Sequence, residues 1–328
     1  MKKISIVIPV YNEEFFISGT LESVLKIEYP REDFEVLVVT DGCTDGTVSA
    51  VKKFPFVRIL ELKQNVGRYA ARKAGAEAAI HPNILFIDSR TRADPQILSV
   101  INQVNALVIQ GVNFSVENPG LFEIFYKSVR RKVFSQYYSK SSEIIELTKD
   151  NFDFHPKGTN VFFIQKDVLF QAYKDLDGID MSGDSSDDTK LINKIVQQTP
   201  AIIHPDVKVL YYYRSTFLAN ARHLYGFNAT SFVDYYFHPS QRYFWIVIVI
   251  PLMVLLVLLA GLIFIPIQLW IKITTLVVLD IFISLYLAQS LKEFTIILFM
   301  MPLSVLIFYL GIIRGIFIKF KKEMRSKQ

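Results

Sequence analysis

Between Phe244 and Ile271 the chain carries no charged residue. About 20 apolar residues in a helix span a bilayer core of roughly 30 Å, so this run alone assigns the chain to two environments. Ile273 to Leu291 and Phe294 to Ile313 are further apolar stretches. Three in succession exceed what the core of one soluble domain requires. The sequence therefore predicts about three transmembrane helices over residues 243–313 and a basic tail over 314–328. Residues 216–242 mix aromatics with Arg222 and His223, which suits an amphipathic helix at a membrane interface. Asp280 burdens the middle span by about 2.5–3.5 kcal/mol on insertion scales. Three crossings from a cytosolic start would leave Arg314, Lys319, Lys321, Lys322, Arg325 and Lys327 outside. Such residues favour the cytosolic face. The two expectations conflict.

Much of the net charge of +5 sits in that tail. A modest excess placed beside apolar spans favours anionic lipid headgroups over nucleic acid, and no nucleic-acid-binding module is recognisable. Cys43 is the single cysteine, which rules out an intrachain disulfide framework and fits a reducing compartment. The opening stretch Ile4 to Val10 is too short for a signal peptide, contains Pro9 and runs into Asn12-Glu13-Glu14. It reads as a buried first strand in the cytosol.

Ile4-Ser5-Ile6-Val7-Ile8 is continuously apolar and β-branched, the pattern of a strand covered on both faces. Strands are expected again at Phe34–Val39, Val57–Leu62 and Ile84–Ile87. Helices are expected from Glu13 to about Lys26, after Asp45, and over the alanine-rich stretch Tyr69 to Ile80. Alternating strands and helices imply βαβ units and a mostly parallel sheet. Further on, Leu121–Tyr138 reads as an amphipathic helix with a basic face, Val161–Ile164 and Val207–Leu210 as strands, and Asp184–Thr189 as the approach to a helix through Ile195.

Several residues then ask for a chemical role. Asp88 ends an apolar strand and is followed by Arg90 and Arg92. In open α/β sheets ligands bind outside the carboxyl ends of the strands, and a carboxylate is costly there unless a cation or ligand uses it. Asp41 likewise follows a strand, where it can accept hydrogen bonds or make a turn with Gly42. Arg68, Arg72 and Lys73 begin a helix, where cations and free N–H groups meet phosphate. Asp187-Asp188 can supply a base or cap the helix that follows. The five histidines show no paired zinc spacing. A Gly-Lys-Ser/Thr phosphate loop and a Gly-X-Ser-X-Gly nucleophile turn are both missing.

Four segments in order carry a resemblance. Ser5-Ile6-Val7-Ile8-Pro9-Val10-Tyr11-Asn12-Glu13-Glu14, Val38-Val39-Thr40-Asp41-Gly42-Cys43-Thr44-Asp45-Gly46-Thr47, Asn65-Val66-Gly67-Arg68-Tyr69-Ala70-Ala71-Arg72-Lys73-Ala74-Gly75 and Phe86-Ile87-Asp88-Ser89 together resemble the family 2 glycosyltransferases of the GT-A fold. The match is sharp over residues 4–95 and looser to about residue 225. It implies an α/β, Rossmann-like GT-A domain over residues 1–215, followed by the helical membrane region. It also implies that Asp41 meets the nucleobase, that Pro9 and Tyr11 wall the nucleoside, and that Glu13 faces the same cleft.

In that family the fourth strand ends in Asp-X-Asp, which binds a divalent cation, Mg2+ or Mn2+, on the sugar-nucleotide phosphates. Here Asp88 is kept and Arg90 stands at the second position. Asp88 would then hold the ion alone with water and phosphate, or Arg90 would neutralise phosphate directly. The resemblance makes Asp188 the catalytic base and Asp187 its neighbour or orienter. Lys157-Gly158-Thr159-Asn160 falls where the family brings the acceptor close. Processive synthases of the family carry Gln-X-X-Arg-Trp before their membrane helices; Tyr211-Tyr212-Tyr213-Arg214-Ser215-Thr216-Phe217 lacks it, which implies addition of one sugar. The expected protein is a multi-pass inverting enzyme of a bacterial inner membrane, with its catalytic domain in the cytoplasm. It would use a nucleotide-diphosphate sugar, most often a UDP-sugar in such proteins, and a lipid-linked glycan acceptor. Direct transfer to polyprenyl phosphate and a non-catalytic sugar-nucleotide-binding subunit are the alternatives.

Overall fold

A computed structural model describes residues 1–181, 185–249, 253 and 269–326. By contact, the chain divides into two compact units. Residues 1–119, 134–183 and 187–213 form the first, and residues 120–133, 184–186 and 214–328 the second.

The first unit runs β1 (Ile4–Val10), α1 (Glu14–Leu25), β2 (Phe34–Asp41), α2 (Thr47–Val51), β3 (Val57–Leu62), α3 (Arg68–Ala78), β4 (Asn83–Ile87), β5 (Thr91–Ala93), α4 (Ile97–Gln103) and β6 (Val108–Phe114). The helix α5 (Leu121–Val133) belongs to the second unit. The chain returns to the first with α6 (Ser135–Tyr138), β7 (Ile145–Leu147), β8 (Val161–Gln165), α7 (Lys166–Asp175), α8 (Asp187–Val196) and β9 (Ala201–Tyr211).

The strands make one sheet in the order β3-β2-β1-β4-β8-β6-β9-β5, with β7 paired to β9. Parallel pairing holds from β3 through β4, as the βαβ pattern predicts. From β8 onward the sheet is mixed: β8 runs antiparallel to both β4 and β6, while β6 and β9 are parallel. The alternation of side chains along β1 covers both faces. Ile4, Ile6 and Ile8 pack with Ile17 and Leu21 of α1 and Ile97, Leu98 and Ile101 of α4. Gly75 of α3 lies over Val7 and Val39 on the other face.

In the second unit, α9 (Phe217–His223), a π-helical turn at Leu224–Asn228 and α10 (Ala229–Tyr236) occupy the stretch expected as one interfacial helix. A second π turn covers Phe244–Val249, and α11 (Leu269–Leu287) and α12 (Leu291–Ser326) follow. Most of the first expected span, and Asp184, lie outside the described residues. Among those described, only α12 contains a helix long and apolar enough to cross a membrane, Leu291–Met324. The apolar part of α11, Ile273–Leu287, is shorter, so three crossings are not what the described helices support.

Candidate active site

The site is assembled at the carboxyl ends of β1, β2 and β4. Asn12 adopts a left-handed backbone (φ 52°) after β1. Its side-chain oxygen accepts from Thr44 N–H (2.8 Å) and its amide donates to Thr44 Oγ1 (3.0 Å), tying the loops after β1 and β2 together. Glu13 N–H donates to Thr47 Oγ1 at 2.8 Å, so Glu13 is held at the start of α1. Pro9 is partly buried and Tyr11 exposed on the same loop.

At the end of β2, Asp41 is buried, and its two carboxylate oxygens accept from Val66 N–H (2.7 Å) and Gly67 N–H (3.0 Å). It thereby fixes the loop that launches α3. Gly42 makes this closeness possible. Its φ is +64°, and a Cβ there would stand 2.4 Å from Asn65 N.

Launched this way, α3 aims Arg68 and Arg72 at the acidic residues. Arg72 is 3% exposed. Its Nη2 lies 2.8 Å from Asp88 Oδ1, and its Nη1 lies 3.0 Å from Asp188 Oδ1 and 3.9 Å from Asp187 Oδ2. Arg68 Nη2 meets Asp187 Oδ1 at 2.5 Å. Thr159, at the approach to β8, donates its hydroxyl to Asp188 Oδ1 at 2.6 Å. Three carboxylates from two distant segments therefore converge on one buried guanidinium. Lys73 turns elsewhere, with its Nζ 5.8 Å from the ring centroid of Tyr173.

These surroundings separate the two neighbouring carboxyls. Burial and then the adjacent Asp188 push Asp187 up from the usual carboxylate range, against Arg68 and Arg72. Burial acts on Asp188 as well, but Arg72, Arg68 and the Thr159 hydroxyl outweigh it and hold Asp188 down. Asp188 is the more acidic of the two.

Arg90 does not join this cluster. Its Nε donates to Glu13 Oε1 at 2.8 Å, its guanidinium lies 4.2 Å from the Phe16 ring centroid, and its carbonyl accepts from Tyr212 N–H at 2.9 Å. Its Nη1 and the Nε of Arg72 are buried donors without a hydrogen-bond partner.

A divalent cation can be tested against these groups. Among the described residues no three metal-ligating side chains come together. Arg72 takes Asp88 Oδ1, but the Asp88 side chain remains 31% exposed. The donor set thus fits a cation with one protein carboxylate, the kind that keeps water and phosphate as its other ligands, and not a closed cage.

Residues 5–158 match the family described as Glycosyl transferase family 2. They form a family 2 glycosyltransferase domain. Glycosyltransferase AglE of Haloferax volcanii is 32% identical over 146 residues, 42% of this chain and 48% of that protein. A poly(ribitol-phosphate) beta-glucosyltransferase of Bacillus spizizenii is 36% identical over 121 residues, 35% of this chain and 18% of that protein. The chain thus spans about half of the first relative's length and under a fifth of the second's. The mannosyltransferase PcManGT of Pyrobaculum calidifontis, solved with GDP-Man and Mn2+, superposes with a TM-score of 0.63 at 16% identity. It covers 95% of this chain and 87% of its own, and it shows the fold.

The first unit brings together Arg68, Arg72, Asp88, Asp187 and Asp188 from the sequence-derived set, and pairs Glu13 with Arg90. The central position of Arg72 and the Thr159–Asp188 bond were not legible in the sequence. Thr159 lay in a stretch expected near the acceptor, but nothing local pairs it with a residue at the start of α8.

Proposed function

We propose that this chain transfers one sugar, with inversion, from a nucleotide-diphosphate sugar to a lipid-linked glycan acceptor of a bacterial envelope, a UDP-sugar being the first donor to test. The observation that carries the reading is the convergence of Asp88, Asp187 and Asp188 on Arg72 beside Arg68. Three carboxylates against two guanidiniums leave one negative charge in excess. Such a site suits an anionic diphosphate only when further positive charge arrives with it.

Asp188 serves as base. It accepts the acceptor hydroxyl's proton as that oxygen attacks the anomeric carbon and the bond to the diphosphate breaks. Arg72 keeps Asp188 ionised, and Thr159 orients it. Arg68, with its side chain 43% exposed, is placed to exchange Asp187 for a phosphate oxygen, a swap that suits a forked guanidinium. A divalent cation would be held by Asp88, and it would neutralise the charge growing on the leaving diphosphate. Arg90, braced by Glu13 and Phe16, adds fixed positive charge on the same side of β4's end.

The test is nucleoside-diphosphate release by the detergent-purified full chain, given membrane lipid extract and a panel of nucleotide sugars, with and without Mg2+ or Mn2+. Release that Asp188→Asn abolishes supports the reading. Donor binding without release from any nucleotide sugar overturns it in favour of a binding subunit. Release that does not depend on metal assigns the phosphate charge to the arginines.

A further inference from the structure

Within the second unit, small residues draw the π turn at Leu224–Asn228 and helix α10 against α12. Gly311 and Gly315 stand four apart, the spacing that lets two helical backbones approach closely. A Cβ on Gly311 would lie 2.6 Å from both Tyr225 O and Ala229 Cβ, and one on Gly315 would lie 3.1 Å from Val233 Cβ. Ala229, Val233 and Ile312 are buried in this contact. Tyr225 belongs to the π turn, a form that is rare and frequent at functional sites.

Beside this contact runs a groove with a volume of about 530 Å³. Tyr225 lines it, together with Leu310, Ile313, Arg314, Phe317, Ile318 and Lys321 of α12. At 3.6 residues per turn the six helix residues fall within about 140° of one another, so they share one face. Both the size and the lining, mostly apolar with a few polar groups, are those of small-molecule sites. Arg314 is half-buried; its Nη1 donates to Gly226 O at 3.1 Å, and its guanidinium lies 5.5 Å from the Tyr225 ring centroid. The π turn thus pins one cation at the groove. Lys321 is exposed and follows on the same face, about 10 Å further along the axis.

No acidic residue lines the groove. The two acids of α12 are Glu293 and Glu323. Glu293 stands near the opposite end of the helix, and Glu323 is turned about 200° from Lys321. Lys319 is directed elsewhere, donating to Phe237 O at 3.2 Å. A free anion here would meet two cations and leave four apolar side chains in water. A hydrocarbon chain alone would leave the cations unmatched. A phosphate that carries a hydrocarbon chain satisfies both. The groove lies on Leu291–Met324, the one helix among the described residues that is long and apolar enough to cross a membrane, and basic pockets of this kind bind acidic lipid headgroups.

We propose that the groove binds one anionic phospholipid, its phosphate held by Arg314 and Lys321 and one acyl chain laid over Leu310, Ile313, Phe317 and Ile318. This goes beyond the transferase reading and holds whatever sugar is moved.

The test uses the full chain in detergent micelles, with Phe317→Trp as reporter and Trp245 and Trp270 changed to Phe. Phosphatidylglycerol or phosphatidylcholine, brominated on the acyl chain, is titrated in. Saturable quenching is expected, with phosphatidylglycerol favoured by about 30-fold, since each basic residue favours an acidic lipid about fivefold. Lys321→Gln is expected to weaken phosphatidylglycerol about fivefold and to leave phosphatidylcholine unchanged. Lys322→Gln removes the same charge about 100° away and is expected to change neither. Equal quenching by the two lipids, or a loss in Lys322→Gln as large as in Lys321→Gln, means unspecific adsorption or diffuse charge and overturns the proposal. So does the absence of quenching by either lipid, which means that protein fills the groove. Two competitors fix the occupant: inorganic phosphate is expected not to displace the brominated phosphatidylglycerol, and polyprenyl phosphate to compete no better than unlabelled phosphatidylglycerol. Displacement by inorganic phosphate makes the site one for a free anion, and far stronger competition by polyprenyl phosphate makes it one for an isoprenoid lipid; either result overturns the proposal.

Discussion

Two adjacent carboxyls at the start of α8 differ in acidity because one guanidinium is shared unequally between them. Arg72 lies 3.0 Å from Asp188 and 3.9 Å from Asp187. Asp188→Asn keeps the size of the side chain and removes the proton acceptor. Turnover is expected to fall by about 10²–10⁴-fold with donor affinity kept, as read by nucleoside-diphosphate release beside equilibrium donor binding. Thr159→Val tests the orientation. Without the hydroxyl, Asp188 is a weaker acid: its proton is lost at higher pH, so the acid limb of the rate profile moves up and kcat falls more than KM rises. Thr159→Ser is expected to restore the wild-type profile. Lys157 gives a stability test in the same loop. Burial pushes its ammonium down from 10.5 to about 8, with Asp153 opposing in part. The folded chain thus binds fewer protons than the unfolded chain between those values, and stability rises with pH across that window. Lys157→Met is expected to stabilise the protein at pH 7 by up to about 3 kcal/mol, less what its bond to Phe152 O contributes. The gain should fade as pH rises from 8 to 10.5 in thermal melts.

At the scale of elements, the site depends on how β2 hands over to α3. Gly42→Ala places a Cβ into Asn65 N and forces a positive φ on alanine, at a cost of about 2–4 kcal/mol. Because Asp41 grips Val66 and Gly67, the strain should reach Arg68 and raise donor KM more than it lowers kcat; chemical denaturation and initial rates check the two parts. Much of this half was legible in the sequence. The apolar runs of β1, β2 and β4 read as strands buried on both faces, Asp41 and Asp88 stand where β2 and β4 end, and Asp187-Asp188 open α8. What escaped depends on distant partners. The three residues of β5 and of β7 are strands only because β9 lies beside them. In β6, Gln110, Gly111 and Asn113 hide the apolar pattern. Arg72 reads as one of three basic residues on α3, and only the meeting of β4 with α8 makes it the hub of the cluster.

The composition step after residue 242 suggests a soluble domain that can be cut away from a membrane region, and the packing of α5 argues against that cut. α5 arises inside the first half of the chain, yet Phe125, with Ile124, Tyr126 and Val129 around it, packs with Leu287, Ile296 and Ile297. Arg131 adds a paired Glu293 and the carbonyl of Leu287 at 3.2 Å. Removing residues 214–328 would expose this face, and each large apolar side chain left bare forfeits about 1.5–3 kcal/mol of burial. A chain ending at Tyr213 is therefore expected to bind a hydrophobic dye and to elute as aggregate in the absence of detergent. The same truncation with residues 120–133 replaced by a Gly/Ser linker should elute as a monomer, because the first unit keeps its own sheet and core. If the simple truncation were already monodisperse and dye-free, α5 would be stable without the C-terminal helices, and the division of the chain would follow its composition after all. A soluble linker variant that still binds a nucleotide sugar would place donor recognition wholly in the first unit, leaving the C-terminal helices to bring the acceptor and the membrane.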